Sequence, residues 1–519
     1  MKKFFGLAVL GLASVHTAAQ AASPETRLVV GIMVDQLRTD YLRQLSPLFG
    51  QGGFNRLMRE GVFLTDVNFR NTVSDPASGA ALIYTGAWPA FNGVAASETY
   101  DETLKRNVAT LGTGASRSHF TPEGLQLSTI ADEIAINGSG QARIYSIASD
   151  PQTAVIMAGH NGNGAIWVDE NTGRWTTSTY YTGNPAFISN KGRNAALAQK
   201  INGTSWRPLL SSDQYPIFNN SRKPLDFYYT YQGAQRDSYS NFRNSAPYNE
   251  EATDLAIELL GQSNPAASGL PMGMLNIAYT AAPIDFDSDG DNRLELLDTY
   301  IRLDAQVERL LKEIDRQVGL DNSMVFLISS GYADEPDLRQ EGSRIPGGEF
   351  SLRKAESLLN SYLSATHGNG DYVNSLSDDI LRLNHSLIES KHLNATEIRN
   401  EAKAFLLKMG GVSEAFTIDE VSRGENPRIV DLTLAVNPKS AADIYLRYTP
   451  GWTIVDDNKY PEKRSKARST SPLTPAFILS PQLTPKVIDS SVDATSIAPT
   501  ITSNLHIRAP NGAGSKPLF

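Results

Sequence analysis

The chain has 519 residues, with 47 lysines and arginines, 56 aspartates and glutamates, and no cysteine. The net charge of −9 is spread along the sequence, which argues against nucleic acid or an anionic membrane as the main partner. Without cysteine the chain has neither a disulfide nor a thiolate metal ligand, so its stability must come from an apolar core.

The N-terminus has the pattern of a secretory signal peptide. Two lysines precede an uncharged, mostly apolar run at residues 4–15, and the sequence AQA at residues 19–21 marks a cleavage site. No later stretch reaches the roughly 18 apolar residues of a membrane span, and a lipobox anchor would need a cysteine. We therefore expect a cleaved leader at residues 1–21, a periplasmic or secreted protein, and no membrane insertion.

Residues 28–36, LVVGIMVDQ, are the stretch around which the rest of the chain is organised. A nearly continuous apolar run rich in β-branched residues predicts a strand buried on both faces of a helix-covered sheet. Asp35 closes this strand, and open α/β sheets carry their chemistry at the carboxyl ends of strands. Asp35 is therefore a candidate metal ligand. The alternative is that Asp35 caps the turn into residues 37–42.

Residues 71–86 predict a polar turn that leads into a helix of small residues. The free backbone N–H groups and the positive dipole end at the start of such a helix suit a phosphate group. This turn is therefore a candidate position for a nucleophile. The other interpretation is that Ser74 or Asp75 is an ordinary helix N-cap.

The remaining periodic segments predict alternating helices and strands. An apolar stripe at three-and-four spacing predicts a core-facing helix at residues 292–318, on which Asp298 and Arg302 would form an ordinary surface ion pair. A buried strand at 324–328 follows, in the helix-then-strand order of a doubly wound sheet. Further predicted segments are helices at 128–137, 355–362, 396–409 and 497–505, strands at 62–69, 144–148, 428–435, 442–448 and 474–479, and a hairpin at 165–181.

These segments predict an α/β protein with one large core and one insertion. We expect the core at residues 26–346, with loop-rich cap segments. The composition becomes charged and helical at residues 347–425, which predicts a small inserted α+β subdomain. Residues 426–519 would then complete the core.

Four aspartates alternate along one loop: Asp285, Asp287, Asp289 and Asp291. Alternate carboxylates in a loop bent by glycine, here Gly290, are the ligands of a hard cation such as calcium. In a twelve-residue calcium loop, the sixth position is a glycine and the twelfth is an acid that binds the cation with both oxygens. Counting from Asp285 puts Leu296 at the twelfth position. Counting from Asp287 no longer places Gly290 at the sixth. The alternatives are a calcium or magnesium site and a solvated acidic loop that caps the helix at 292–318.

Nine short segments carry a family resemblance: VGIMVDQ at 30–36, GGF at 52–54, IYTG at 83–86, PAFNGV at 89–94, MAGH at 157–160, STYY at 178–181, DTYIRLD at 298–304, PGW at 450–452 and IAPT at 497–500. They resemble the alkaline phosphatase superfamily, in particular its bacterial periplasmic monoesterases with a threonine nucleophile and the neighbouring nucleotide pyrophosphatase/phosphodiesterases. The resemblance covers nearly the whole mature chain and implies an alkaline-phosphatase-like core sheet between helices.

The resemblance implies two zinc ions on aspartate and histidine ligands, beside a hydroxyl nucleophile at a helix start. Asp35 matches the first ligand, whereas two further ligand positions read Ala281 and Asp285. The Asp-His pair expected after the strand at 324–328 is missing from SSGY at 329–332, and no histidine lies between residues 460 and 479.

The nucleophile and the phosphate contacts of the family also differ here. Counting back from residues 83–86 places Pro76 at the threonine, and a two-residue insertion would place Ser74 there as an alternative nucleophile. The family's asparagine corresponds to Ser97. Its Lys-Asp-Arg reads ASD at residues 148–150, which places the carboxylate of Asp150 where an anion is held.

These replacements predict a catalytically inactive, alkaline-phosphatase-like protein that has lost the zinc pair and needs no cofactor. It would serve as a binding or scaffold component for a protein partner in the cell envelope. The alternative is a metal-dependent phosphatase or phosphodiesterase with a rebuilt site. That site would use Ser74, Asp35, Asp285 and neighbouring acids around magnesium or calcium.

Overall fold

The computed structural model of the chain describes residues 26–519 apart from 102, 115–118, 184, 186–190, 212, 217–225, 234–236, 263–270, 283–292, 334–346, 378, 425, 459–462 and 468–471. The predicted leader at residues 1–21 lies outside this part and stays a prediction. Within the described part, no helix combines the length and the apolar character that crossing a bilayer requires.

The described elements follow in chain order. The strands are β1 (Leu28–Asp35), β2 (Val62–Leu64), β3 (Val67–Asn68), β4 (Glu98–Asp101), β5 (Arg106–Ala109), β6 (Gly112–Thr113), β7 (His119–Phe120), β8 (Ile144–Ile147), β9 (Gly164–Val168), β10 (Trp175–Thr177), β11 (Ser205–Trp206), β12 (Tyr229–Thr230), β13 (Gly273–Thr280), β14 (Ser323–Ser329), β15 (Glu349–Ser351), β16 (Val373–Ser377), β17 (Ile380–Leu383), β18 (Val412–Thr417), β19 (Ile444–Tyr448), β20 (Thr453–Asp456), β21 (Lys463–Lys466), β22 (Ala476–Leu479), β23 (Lys486–Ile488) and β24 (Val492–Asp493). The α-helices are α1 (Thr39–Leu45), α2 (Phe54–Glu60), α3 (Pro76–Thr85), α4 (Pro89–Asn92), α5 (Ile130–Asn137), α6 (Pro151–Ala158), α7 (Lys191–Gly203), α8 (Ser238–Arg243), α9 (Ala246–Gln262), α10 (Arg293–Gln317), α11 (Leu352–His367), α12 (His385–Ser390), α13 (Ala395–Leu406), α14 (Ile418–Arg423), α15 (Val430–Ala435) and α16 (Ile497–Asn504).

The largest described sheet is mixed and has the strand order β10-β9-β8-β13-β1-β14-β22-β2-β23. The strands from β9 to β14 run parallel to one another, and β22 runs antiparallel to both β14 and β2. The predicted hairpin at 165–181 is confirmed as the antiparallel pair β9–β10. Because parallel neighbours are joined through helices, this order confirms the predicted α/β fold.

Both faces of β1 are buried, as its apolar run predicts. Val30, Ile32 and Val34 belong to the core formed with α1, α9 and α10, whereas Val29 and Met33 belong to the core formed with α3, α5, α6 and α16. Alternate side chains of a strand point to opposite faces of the sheet, so one strand contributes to both cores. β1 is therefore the centre of the fold.

A glycine in the middle of β1 allows a close approach of helix α3. A Cβ atom at Gly31 would collide with the Tyr84 hydroxyl and the Asn276 side chain. The Tyr84 hydroxyl donates a hydrogen bond to Asn276 Oδ1 (2.8 Å), and Asn276 Nδ2 donates to the carbonyl oxygen of Met157 (2.9 Å). This buried polar bridge joins α3, β13 and α6.

A buried carboxylate on α10 holds the cap segment against the core. Asp298 Oδ2 accepts from Trp206 Nε1 and Arg302 Nε, each at 2.7 Å. Its Oδ1 accepts from the Leu209 amide (2.6 Å) and the Tyr215 hydroxyl (2.8 Å). Asp298 is fully buried. The prediction of an ordinary surface pair at Asp298 and Arg302 is therefore wrong, because the cap segment covers this part of α10.

The inserted region forms a sheet and a core of its own. Its strands pair antiparallel in the order β16-β17-β19-β18, and α11 and α13 pack against them through a separate apolar core. Strand β19 lies beyond residue 425, so this sheet continues past the predicted end of the insertion. The domain boundaries at 346 and 425 stay predictions.

One predicted strand of this region is a helix instead. The residues predicted as a strand at 428–435 instead lie in a short 3₁₀ turn at Pro427–Ile429 and in α15, whereas the predicted partner at 442–448 contains strand β19. Asn426 caps the turn by accepting from the Arg428 amide (3.0 Å), and Pro427 occupies its first position. Asparagine followed by proline is a helix-start signal, and it outweighs the β-branched residues that follow.

Candidate active site

The carboxyl ends of three adjacent strands meet at one edge of the central sheet. β1, β13 and β14 are parallel and end at Asp35, Thr280 and Ser329. Asp35 Oδ1 accepts a hydrogen bond from Ser330 Oγ (2.8 Å), and Ser330 Oγ also accepts from the Gln36 amide (2.9 Å). The structure thus places Asp35 at the edge where open α/β sheets bind their ligands.

The start of helix α3 is fixed by a carboxylate with two backbone partners. Asp75 is the N-cap of α3, and its Oδ1 accepts from the Ser78 amide (2.8 Å) in a capping box. Its Oδ2 accepts from the Ser97 amide (2.6 Å). Ser74 lies just before this cap, and its side chain is exposed. The N-cap interpretation is therefore confirmed for Asp75, whereas the role of Ser74 as a nucleophile stays a prediction.

The start of α3 lies beside Asp35. A Cβ atom at Gly79, in the first turns of α3, would overlap the carbonyl oxygen of Ser330. Ser330 is the same residue whose hydroxyl bonds Asp35. A close backbone approach therefore brings the helix start and the strand-end carboxylate into one site.

A second helix start lies next to the first. Asp150 is the N-cap of α6, and its Oδ2 accepts from the amide and the hydroxyl of Thr153, each at 2.7 Å. Burial raises the pKa of Asp150, the two hydrogen bonds from Thr153 lower it, and the negative charge of Asp75 raises it further. The net pKa shift is upward. The two carboxylates therefore lie close enough to repel each other.

Two polar groups near Asp150 have unsatisfied atoms. Arg243 donates from Nη2 to Glu170 Oε2 (2.7 Å) and from Nη1 to the Val168 carbonyl oxygen (3.4 Å). The Arg243 Nε and the Tyr248 hydroxyl are buried and have no hydrogen-bond partner among the described residues. Burial raises the pKa of Tyr248, and the charge of Asp150 contributes to that rise.

The other predicted ligand positions supply no side chain that the structure shows near Asp35. Ala281 is buried, and its amide donates to the Asp35 carbonyl oxygen (2.9 Å). Residues 285–291, with their four aspartates, lie outside the described residues, and their cation loop stays a prediction. His160 is held by Asp132 (3.1 Å) and the Leu125 carbonyl oxygen (3.1 Å), so it has a structural role.

The described residues fit only part of a metal site. In the part of the chain that the structure covers, no three His, Asp or Glu side chains are grouped closely enough to share an ion. Asp35 supplies a carboxylate oxygen, which is a ligand for zinc as well as for a harder divalent cation.

Residues 29–472 match the model of the type I phosphodiesterase / nucleotide pyrophosphatase family, and the chain belongs to this family. It is 25% identical to alkaline phosphatase PafA of Elizabethkingia meningoseptica, over 96% of this chain and 94% of PafA. It is 26% identical to alkaline phosphatase PhoV of Synechococcus elongatus, over 99% of this chain and 98% of PhoV. The crystal structure of wild-type PafA matches the fold with a TM-score of 0.81 at 24% identity, over 96% of this chain and 99% of that one.

These relatives correct two predictions. Both proteins are named alkaline phosphatases and match this chain along nearly its whole length, so the prediction of an inactive scaffold is wrong. The prediction that the metal pair is lost and no cofactor is needed is wrong for the same reason. Both predictions depended on counting ligand positions through loops, where one inserted residue displaces every position that follows.

Three residues around the candidate site were not predicted from the sequence to belong to it. Ser330 and Arg243 were not singled out, and Tyr248 was considered only as one of several exposed aromatics. A weak signal for Ser330 was present, because it lies two residues after a predicted core strand. Arg243 and Tyr248 lie in an aromatic, loop-rich stretch whose pattern gave no such signal.

Proposed function

We propose that this protein hydrolyses phosphoric esters as a metal-dependent phosphatase or phosphodiesterase. The observation that carries this proposal is the packing of the α3 start on Ser330, whose hydroxyl bonds Asp35. A strand-end carboxylate and a helix N-terminus thereby lie in one place, and the exposed Ser74 precedes that helix in the sequence. The family and the named relatives support the same chemistry.

In the proposed reaction, the phosphate group lies at the start of α3 and Ser74 is the nucleophile. The Ser74 hydroxyl gives up its proton and its oxygen forms a bond to phosphorus, the ester P–O bond breaks, and the leaving alkoxide takes up a proton to become the alcohol. Water then hydrolyses the phosphoserine and releases the product. The Ser74 amide donates to Ser78 Oγ (3.2 Å), which fixes the backbone of Ser74 beside the helix start.

Asp35 is the proposed ligand for a divalent cation. When bound, such an ion would offset the negative charge of the phosphate and favour attack by a hydroxyl. We propose that Asp285, Asp287, Asp289 and Asp291 supply further oxygen donors, because they follow the end of β13 within a few residues in the sequence.

The predicted cellular location is part of the same proposal. A leader at residues 1–21 would direct the enzyme to the periplasm or the exterior. A protein partner in the cell envelope stays a prediction.

The test is turnover of 4-nitrophenyl phosphate and bis(4-nitrophenyl) phosphate with magnesium, calcium or zinc. We expect turnover that Ser74→Ala lowers by about 100-fold or more, because the nucleophile is lost. Ser361→Ala, on the exposed face of α11, is the matched control and should leave turnover unchanged. If neither ester is hydrolysed with any of the three metals, the proposed function is wrong.

A further inference from the structure

One surface of the inserted region carries neighbouring apolar side chains that are exposed. Helices α11 and α13 lie side by side there, and the rings of Tyr362 and Phe405 stack at 4.8 Å with an interplanar angle of 20°. Tyr362 is still 38% exposed, and Leu358, one turn before it on α11, is 45% exposed. Adjacent exposed apolar side chains, unlike single scattered ones, indicate a contact surface.

The charged side chains of this surface are separated along the helix pair. His367 Nε2 lies 2.6 Å from Glu401 Oε2, and together with the aromatic stack this contact shows that α11 and α13 run antiparallel. The exposed Lys354 and Lys408 therefore lie at one end of the pair, and the exposed Glu397 lies with Glu401 at the other. The side chains of Lys354, Lys408 and Glu397 have no ion-pair partner within the part of the chain that the structure describes.

The groups of opposite charge at each end already have partners within the chain. Asp457, near the lysine end, accepts from the Ser351 hydroxyl (2.6 Å) and from the Arg353 amide (2.9 Å). Lys391, near the acidic end, donates to the carbonyl oxygen of His367 (3.4 Å). The charges that remain for a binding partner are therefore basic at one end and acidic at the other.

These charges are placed symmetrically about the aromatic pair. Lys354 lies eight residues before Tyr362 on α11, and Glu397 lies eight residues before Phe405 on α13. Residues four and eight apart share a helix face, and eight residues span about 12 Å along the axis. Because the helices are antiparallel, the two opposite charges lie at similar distances on either side of the stacked rings.

We propose that this surface binds a second copy of the chain in a two-fold symmetric dimer. The symmetry axis would lie in the interface and cross the helices at the aromatic pair, so the apolar centres meet and the lysine end of each copy faces the acidic end of the other. Each attraction then occurs twice. An unrelated partner would need its own matching pattern of charge, whereas a second copy supplies it by symmetry.

The size of the surface sets the expected affinity. The two helices have 16 and 12 residues, so their contact is smaller than the standard interface of about 800 Å² per partner. We expect a dissociation constant of about 10–100 µM, which sedimentation velocity of the purified protein from about 1 to 300 µM measures. Leu358→Asp places a charge in the apolar centre and should weaken the dimer about tenfold or more.

Exchanging the charges tests the proposed orientation. Lys354→Glu and Glu397→Lys should each weaken the dimer about tenfold, because each replaces attraction by repulsion at two places. The double variant exchanges the charges of the two ends and should restore the affinity of the wild-type protein. Lys439→Glu, an exposed lysine between α15 and β19, is the matched control and should leave the affinity unchanged.

Two results would overturn the inference. One is a wild-type protein that stays monomeric at every concentration, since this surface would then bind a different protein or none. The other is a dimer that Leu358→Asp and both single charge variants leave unchanged, since another surface would then form it. Urea unfolding with the midpoint of the wild-type protein shows that a variant has lost association and not its fold.

Discussion

At the scale of single residues, Ser330 links the two halves of the candidate site. Its hydroxyl donates to Asp35 and accepts from the Gln36 amide, while its carbonyl oxygen is covered by Gly79 of α3. Gln36 has a positive φ of 61°, a backbone conformation that needs support from its surroundings. Ser330 therefore positions the carboxylate without being a catalytic residue itself.

Replacing Ser330 with alanine should disturb metal binding more than stability. The Asp35 carboxylate would lose a hydrogen bond that orients it, so we expect about 10-fold weaker binding of magnesium, in line with the loss of other outer-sphere partners. Metal titration by calorimetry measures this directly. Ser330→Thr retains the hydroxyl and serves as the control. Unchanged affinity in Ser330→Ala would show that Ser330 does not orient Asp35.

The buried carboxyl group of Asp304 should make the unfolding free energy of the protein depend on pH. It accepts from the amides of Gly50 and Phe54, each at 2.7 Å. Burial raises its pKa to about 6, although these hydrogen bonds lower it and the charge of Glu308 adds to the rise. The folded protein therefore binds a proton at Asp304 more tightly than the unfolded chain, whose carboxyl pKa is near 3.8.

The stabilising contribution of protonated Asp304 is complete below pH 3.8 and is lost as the pH rises through about 6. Relative to Asp304→Asn, which does not titrate, the wild-type protein should lose about 2–3 kcal/mol of unfolding free energy over this interval. Urea unfolding of both proteins at pH 4.5, 5.5, 6.5 and 7.5 measures the difference. Asp321→Asn, at an exposed position, should show no such trend, and a flat difference for Asp304→Asn would refute the prediction.

At the scale of elements, local apolar pattern was enough to predict the strands and helices of the core. β1, β14, α10 and the β9–β10 hairpin each carry their own periodicity, so they were placed correctly. The position of Asp35 at a strand end followed from the same pattern. The failures have a different origin: Asp298 pairs with Trp206 and Tyr215 across more than 80 residues, and no local pattern predicts such a contact.

The Asp298 contacts give a prediction about the cap segment. Asp298→Ala would leave the Trp206 indole N–H and the Arg302 guanidinium without their buried acceptor. We expect a loss of about 3–5 kcal/mol, measured as a lower midpoint of urea unfolding. Arg316→Gln, which breaks an exposed ion pair on the same helix, should leave the midpoint unchanged. Equal effects of the two substitutions would mean that Asp298 does not hold the segment.

At the scale of the whole molecule, we propose that the inserted region unfolds separately from the central sheet. It has its own apolar core, and its described contacts with the main body include α4 against α15 and Arg382 over the Tyr100 ring at 5.7 Å. Leu359 is fully buried in that core. Leu359→Ala should cost about 2–5 kcal/mol within the insertion.

Hydrogen exchange measured by mass spectrometry tests this division. In Leu359→Ala, amides of β16–β19 should exchange faster, while those of β1 and β13 stay as protected as in the wild-type protein. The reverse control is Leu297→Ala in α10, which should increase exchange in the main body. Faster exchange of β1 in Leu359→Ala would show a single cooperative unit instead.

The position of β1 also bears on how the chain folds during its synthesis. β1 leaves the ribosome early, but its two neighbours, β13 and β14, begin at Gly273 and Ser323, and β22 follows only at Ala476. Such distant pairing makes folding slow, since long stretches of chain must come together first. The nascent protein therefore remains without its central sheet until most of it has been translated.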